Sequence, residues 1–437
     1  MVAGTVALTS AVIIINWRLR LVERPAVLTG DSSLVRRIMQ RSPIPKYWPP
    51  ILFSWWPAQL ALGLVQRRLE VGMIDKIVQY SEPEIRVMDD GGEVALLWAL
   101  LAGERSSSVL SNSAPVLCIF HSIVFDPTSD VGIARLAAEA LRRGFRPVVF
   151  LRRGHIPKRE LATPCFQLVA DTKDSRTMIA AVRERWPEAR LVAIGHSAGT
   201  GTIARYTGEE KSNCQFSAVS MNCPGYYTTP PHGCFNSVGD SFLLRYVVRF
   251  AKEFFVTGPQ HCNFWDSYEK SNKASARILD SLNRFKQAST MAELWGAVAS
   301  GIGGYDSNEA FYEAVEPMAN IEDIAVPCMV VNARDDKLCT LAPQYLRTSF
   351  LDHAKKQPVI SVLTRRGSHC AFYDAGVVFD IITDWGRARM NQKKISWADR
   401  LCLDFLESAL TELEHAGTDL VLEGENCTSP QIPQTRV

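Results

Sequence analysis

From residue 93 onward, short apolar runs alternate with amphipathic stretches. The runs Val94–Leu100, Val116–Phe120, Pro147–Leu151, Leu191–Ile194, Ser217–Met221, Pro327–Val331 and Val359–Leu363 predict strands. Most are continuous rather than alternating, which predicts strands covered on both faces. Between them, Val131–Arg143 sets Ile133, Leu136, Ala137 and Leu141 on one helical face, and Met178–Trp186 does the same with Ile179, Val182 and Trp186. This alternation predicts an α/β fold, with a mostly parallel central sheet and helices on both faces.

The pattern breaks between 224 and 321, where helical stretches such as Ser241–Phe255 and Ala274–Phe285 are dense in aromatic residues. That region reads as a helical cap inserted beside the sheet, or alternatively as further helical core. The sheet-bearing core is then 81–223 together with 322–390. Residues 391–437 read as a C-terminal helix followed by a tail, and the polar, Pro-containing segment from Gly417 reads as disordered.

The N-terminal end carries its own pattern. Met1–Trp17 has no charged side chain, and Arg18, Arg20 and Arg24 follow. The length suits a membrane-spanning helix, and no basic stretch precedes it as a cleaved signal peptide would require. Residues 1–24 are therefore expected to be a single-pass anchor, with a signal peptide or a buried helix as the alternatives. The basic flank after the apolar stretch points the bulk of the chain to the cytoplasmic side. Residues 25–80, with Trp48, Trp55, Trp56 and four prolines between 43 and 50 and another at 57, read either as a membrane-proximal contact or as a segment packed under the domain.

Composition narrows the function. A net charge of +2 over 437 residues offers no basic stripe for nucleic acid. The 11 cysteines contain no C-x-x-C pair and several sit in apolar runs, so they read as reduced core residues, with no zinc-ligand spacing.

The chemistry centres on Gly195-His196-Ser197-Ala198-Gly199, which follows the apolar run Leu191–Ile194 and precedes a helical stretch. A G-x-S-x-G between strand and helix is the nucleophile elbow of an α/β-hydrolase fold. The tight turn would lift Ser197 above the sheet, and Ala198 would offer its backbone N–H to a developing oxyanion. His196, beside the serine, reads as a packing residue. The acid and then the base should follow in chain order. The run Pro327–Val331 leads to Asp335-Asp336, and Val359–Leu363 leads to His369. The expected triad is Ser197, Asp336 and His369, with Asp335 as the alternative acid. The carboxylate not facing the imidazole should cap the following loop. The second oxyanion donor is expected from Ile123, in the loop His121-Ser122-Ile123 after Val116–Phe120. His121 and Asp126 also form an H-x-x-x-x-D spacing, too short a pattern to carry weight.

Taken together, these stretches resemble the YheT-type, ABHD branch of the α/β hydrolases. Arg86-Val87-Met88-Asp89-Asp90-Gly91-Gly92, ending in Trp98, is similar to that family's first hairpin. Gly144–Gly154 resembles its strand and Arg-Gly turn, and Asn332-Ala333-Arg334-Asp335-Asp336 its acid loop. The resemblance implies Asp336 as the acid, an N-terminal anchor and hydrolysis of hydrophobic acyl esters such as phospholipids or acylglycerols, without a cofactor or metal. The chain departs from the family at His121-Ser122, Ser197-Ala198-Gly199, Lys337 and Gly367-Ser368-His369. Acyl transfer on the same triad, or lipid binding without catalysis, stands as the alternative.

Overall fold

The computed structural model describes residues 22, 24–30, 32–50, 54–103, 110–123, 126–169, 171–228, 242–299, 301–339, 357–374 and 395–425. The expected anchor over residues 1–24 lies almost wholly outside them. Among the described residues, no helix is long and apolar enough to cross a membrane.

A ten-stranded sheet organises the chain. Its strands are β1 (Ala26–Thr29), β2 (Val78–Tyr80), β3 (Glu84–Val87), β4 (Glu93–Leu101), β5 (Val116–Phe120), β6 (Arg146–Leu151), β7 (Leu191–His196), β8 (Phe216–Asn222), β9 (Cys328–Ala333) and β10 (Val359–Thr364). The order is β1-β10-β9-β8-β7-β5-β6-β4-β2, with β3 paired to β4. From β10 through β6 every pairing is parallel. The pairings of β1, β2, β3 and β4 are antiparallel.

The continuous apolar runs have a simple cause. Successive strand residues point to opposite faces. Leu117 and Ile119 of β5 join one buried cluster, with Val192, Ile194 and Val331. Val116, Cys118 and Phe120 join another, with Val148, Phe150 and Val219. Helices cover both faces. On the first face lie α1 (Ser33–Arg41), α3 (Val131–Arg142) and the long α11 (Trp397–Glu425), which buries Leu401, Phe405 and Leu406. On the second lie α4 (Thr172–Arg185) and α5 (Ala198–Glu210). Asp130 caps α3 by accepting from the Gly132 and Ile133 N–H groups at 2.8 and 3.3 Å, which starts the helix directly after the β5 loop.

The structure bears on two expectations. The described residues between 26 and 80 contribute elements of the fold: β1 forms one edge of the sheet, β2 pairs β4 at the other end, and α2 (Trp56–Glu70) follows the Trp/Pro-rich stretch. Tyr47 is fully buried, its hydroxyl donating to the Tyr373 carbonyl at 2.9 Å. Tyr47 is thus packed under the domain, while Trp48 and Trp55 remain exposed. The segment after Gly417 does not begin as a disordered tail either, since α11 continues to Glu425. Extending an established helix costs far less than starting one, so a polar composition does not stop it.

Residues 242–315 hold α6 (Phe242–Lys252), a π-helical turn at Glu253–Thr257, α7 (Cys262–Glu269), α8 (Ala276–Gln287), α9 (Met291–Val298) and α10 (Asn308–Val315). They enclose a third cluster, separate from the two sheet faces, in which Phe166 stacks on Phe255 at 4.3 Å beside Trp265, Phe285 and Trp295. Ile123 and Ala198 pack against its margin.

Candidate active site

The turn from β7 into α5 is built by close contact. A Cβ on Gly199 would sit 2.2 Å from the Phe120 carbonyl oxygen, and one on Gly195 would sit 2.9 Å from the Thr200 nitrogen. Both opposing atoms are backbone and cannot yield, so both positions require glycine. Ser197 takes φ 51° and ψ −114°, a backbone conformation that non-glycine residues rarely adopt. Its N–H is held by the Asn222 carbonyl at 3.0 Å. Ala198 begins α5, so its N–H belongs to the first turn, where no intrahelical acceptor exists.

The residues expected to act together do converge. Ser197 Oγ lies 2.7 Å from His369 Nε2, and His369 Nδ1 lies 2.8 Å from Asp336 Oδ2. These span 172 and 33 residues of sequence. The other Asp336 oxygen accepts from the Leu338 and Cys339 N–H groups at 2.9 and 3.0 Å, which fixes the carboxylate. Burial works against a charged His369, but the charge and hydrogen bond of Asp336 override it and raise the imidazole above its ordinary value.

Asp335 has a different task. It accepts the Ser368 N–H at 3.0 Å, and burial raises its carboxyl to about 6. The loop it braces carries left-handed residues at Ser368, Cys370 and Phe372, with φ between 40° and 57°. Ser368 Oγ donates to the Trp56 carbonyl at 2.9 Å, so the Trp/Pro-rich segment also holds this loop.

Ser197 and His369 open on a cavity of about 620 Å³. Ile123, Val247, Phe250, Phe254, Met291 and Leu338 contribute apolar wall, and Phe254 comes from the π-helical turn. Gln66, Asp126, Asp130, Arg135, His196 and Asp399 contribute polar wall. Ile123, the expected second oxyanion donor, is therefore placed on the same cavity as the serine.

His196 is more than a packing residue. Its Nε2 lies 2.6 Å from Asp399 Oδ1, which Asn222 Nδ2 also approaches at 3.4 Å. Burial disfavours its charged form, yet Asp399 raises its pKa. Nothing in the sequence marks Asp399, 203 residues away, as a partner. His121 and Asp126 do not pair: Asp126 accepts from Thr128 and Ser129, while His121 Nδ1–H donates to the Ser122 carbonyl at 2.9 Å.

The nine described cysteines are free. Two groups of ligand-type atoms meet at the histidine loop, Cys223 with His369 and Cys370, and Asp336 with Cys339 and His369, each within 4.8 Å. Both include His369, so an ion bound there would compete with Ser197 for the ring.

A family model described as Hydrolase_4, serine aminopeptidase, S33, matches residues 133–376, more than half of the chain. The chain belongs to this family. Among curated relatives, monoacylglycerol lipase ABHD2 of Mus musculus is 23% identical over 385 residues, covering 86% of each chain. Phospholipase ABHD3 of Homo sapiens is 22% identical over 355 residues, covering 80% of each. Among solved structures, an esterase of Pyrococcus furiosus matches 76% of this chain and 93% of its own at a TM-score of 0.43 and 14% identity. Sheet, elbow and relatives agree: this hydrolase is a member of the ABHD branch of the α/β hydrolases.

Proposed function

We propose that this hydrolase cleaves carboxylic esters of hydrophobic acyl groups, as a lipase or esterase, through an acyl-enzyme on Ser197. The observation that carries the reading is the continuous relay from Asp336 through His369 to Ser197 Oγ, facing a cavity with a largely apolar wall. His369 Nε2 takes the serine proton as Oγ attacks the ester carbonyl, and later returns it to the leaving alcohol. Asp336 holds the tautomer and stabilises the imidazolium. The N–H groups of Ala198 and Ile123 receive the oxyanion. Water then attacks the acyl-enzyme with His369 as base. The helices between Phe242 and Val315 serve as a cap that shapes the acyl pocket.

The relatives act, by their names, on monoacylglycerol and phospholipid, and both classes belong in the test. Purified full-length protein is given long-chain monoacylglycerols, phosphatidylcholines, short chromogenic esters and aminoacyl amides, with Ser197→Ala as control. Release of fatty acid from at least one ester class, absent in Ser197→Ala, is expected. Turnover of the aminoacyl amides alone would overturn the ester assignment.

We further propose that residues 1–24 anchor the chain in a membrane with its bulk on the cytoplasmic side. The uncharged run Met1–Trp17 and the arginines after it support this. Full-length protein should resist alkaline carbonate extraction while a form lacking residues 1–24 is released. Equal release of both would refute the anchor.

A further inference from the structure

Two adjacent arginines follow β6 and are treated in opposite ways. Arg153 meets two carboxylates, Asp174 at 2.6 and 2.8 Å and Asp90 at 2.5 Å. It ties the first hairpin to α4. Arg152 is only 3% exposed, yet no carboxylate pairs with it among the described residues. Burial lowers its pKa to about 9, so it is still a cation at neutral pH. A buried cation without an acid is costly, and so needs backbone dipoles in its place.

Its hydrogen bonds are specific. The guanidinium donates to two successive carbonyls of the loop after β5, His121 at 2.8 Å and Ser122 at 2.6 Å. The Ser122 carbonyl takes a second bond from His121 Nδ1–H at 2.9 Å. His155 Nε2 lies 3.3 Å from the carbonyl of Ile123. Ser122 and Ile123 line the cavity that holds Ser197. A trans peptide is planar, so fixing its carbonyl points its N–H the other way. Pinning the His121 and Ser122 carbonyls therefore fixes the N–H groups of Ser122 and Ile123. Ser122 does not take a left-handed conformation, so serine fits where the family resemblance has glycine.

We propose that Arg152 is the positioning residue of the oxyanion loop: it clamps the His121 and Ser122 carbonyls and thereby presents the Ser122 and Ile123 N–H groups to the oxygen that becomes negative during ester attack. Its charge also polarises both peptides, which strengthens each N–H as a donor. The inference rests on the reading of Ser197 as nucleophile.

The test measures kcat and KM of full-length wild type, Arg152→Met and Arg152→Lys on a short chromogenic ester. It also measures inhibition by a trifluoromethyl ketone, whose adduct with serine carries an oxyanion. Loss of one oxyanion donor lowers kcat by about 10²–10³-fold, and Arg152→Met should fall in that range with KM within about threefold of wild type. Affinity for the ketone should drop by the same factor as kcat/KM. Arg152→Lys, which keeps a buried cation but only one donor nitrogen in place of the guanidinium fork, should lie between the two, and it carries the test if Arg152→Met does not fold. A folded Arg152 variant with kcat near wild type overturns the proposal, as does a variant whose loss lies entirely in KM. Wild type without Ser197-dependent turnover overturns the nucleophile assignment instead, and the clamp with it.

Discussion

Ser197 stands between two histidines, each set against a buried carboxylate: His369 with Asp336, and His196 with Asp399. Both imidazoles border the same cavity, and in both pairs the carboxylate outweighs burial to raise the imidazole. The difference is which ring nitrogen meets the acid. His369 turns Nδ1 to Asp336 and leaves Nε2 for Ser197 Oγ. His196 gives Nε2 to Asp399. Residue type and pairing are thus the same on both sides. In the proposed mechanism, ring orientation separates a base from a brace that ties the elbow to α11.

The largest effect tests that separation. Removing His369 as His369→Ala should lower kcat/KM by about 10⁴–10⁶-fold, as for other residues acting as one unit with their nucleophile. Asp336→Asn should cost about 10⁴-fold in kcat because the imidazole loses its tautomer. Asp399→Asn, by contrast, should keep kcat within about tenfold while lowering unfolding free energy by about 1–3 kcal/mol, through the polar groups left unsatisfied. Steady-state kinetics with denaturant titration of both variants compares the two pairs directly. Equal catalytic losses would erase the distinction.

The pH profile sharpens it further. His369 must be neutral to act as base, and Asp336 raises its pKa, so kcat/KM should climb with pH to a midpoint above the ordinary histidine value of about 6.5. Asp336→Asn should move that midpoint down, and Asp399→Asn should leave it in place.

The smallest effect is on stability. His196 is raised in the folded state, so its contribution is complete below an unfolded pKa of about 6.5 and fades as pH rises through the folded value. In a His369→Gln background, which removes the similar contribution of His369, thermal stability should fall across that window. Asp399→Asn should flatten the slope.

The parts of the molecule legible in the sequence share a physical property. β5, β7 and β9 are buried on both faces, so their residues form unbroken apolar runs. The elbow was legible because backbone crowding at Gly195 and Gly199 admits no other residue. β1 was not, since four residues at an exposed edge leave no apolar period. Asp335 and Asp336 are chemically identical neighbours. The resemblance points to Asp336, and the Ser368 N–H and the His369 ring, brought in by the parallel pairing of β9 and β10, give the two carboxylates their separate partners. Asp399 and Arg152 were hidden for the same reason: their partners are set by tertiary packing. His196 lies far from the first in sequence, and the second holds backbone carbonyls, which every residue carries.

The most direct measurement is mass spectrometry of full-length protein treated with a fluorophosphonate at neutral pH, comparing wild type with His369→Ala and Asp399→Asn. The adduct should lie on Ser197 alone, form at a similar rate in Asp399→Asn, and be nearly lost in His369→Ala. Modification of Ser197 at equal rates in wild type and His369→Ala, or of a different serine, would contradict the activation of Ser197 by His369.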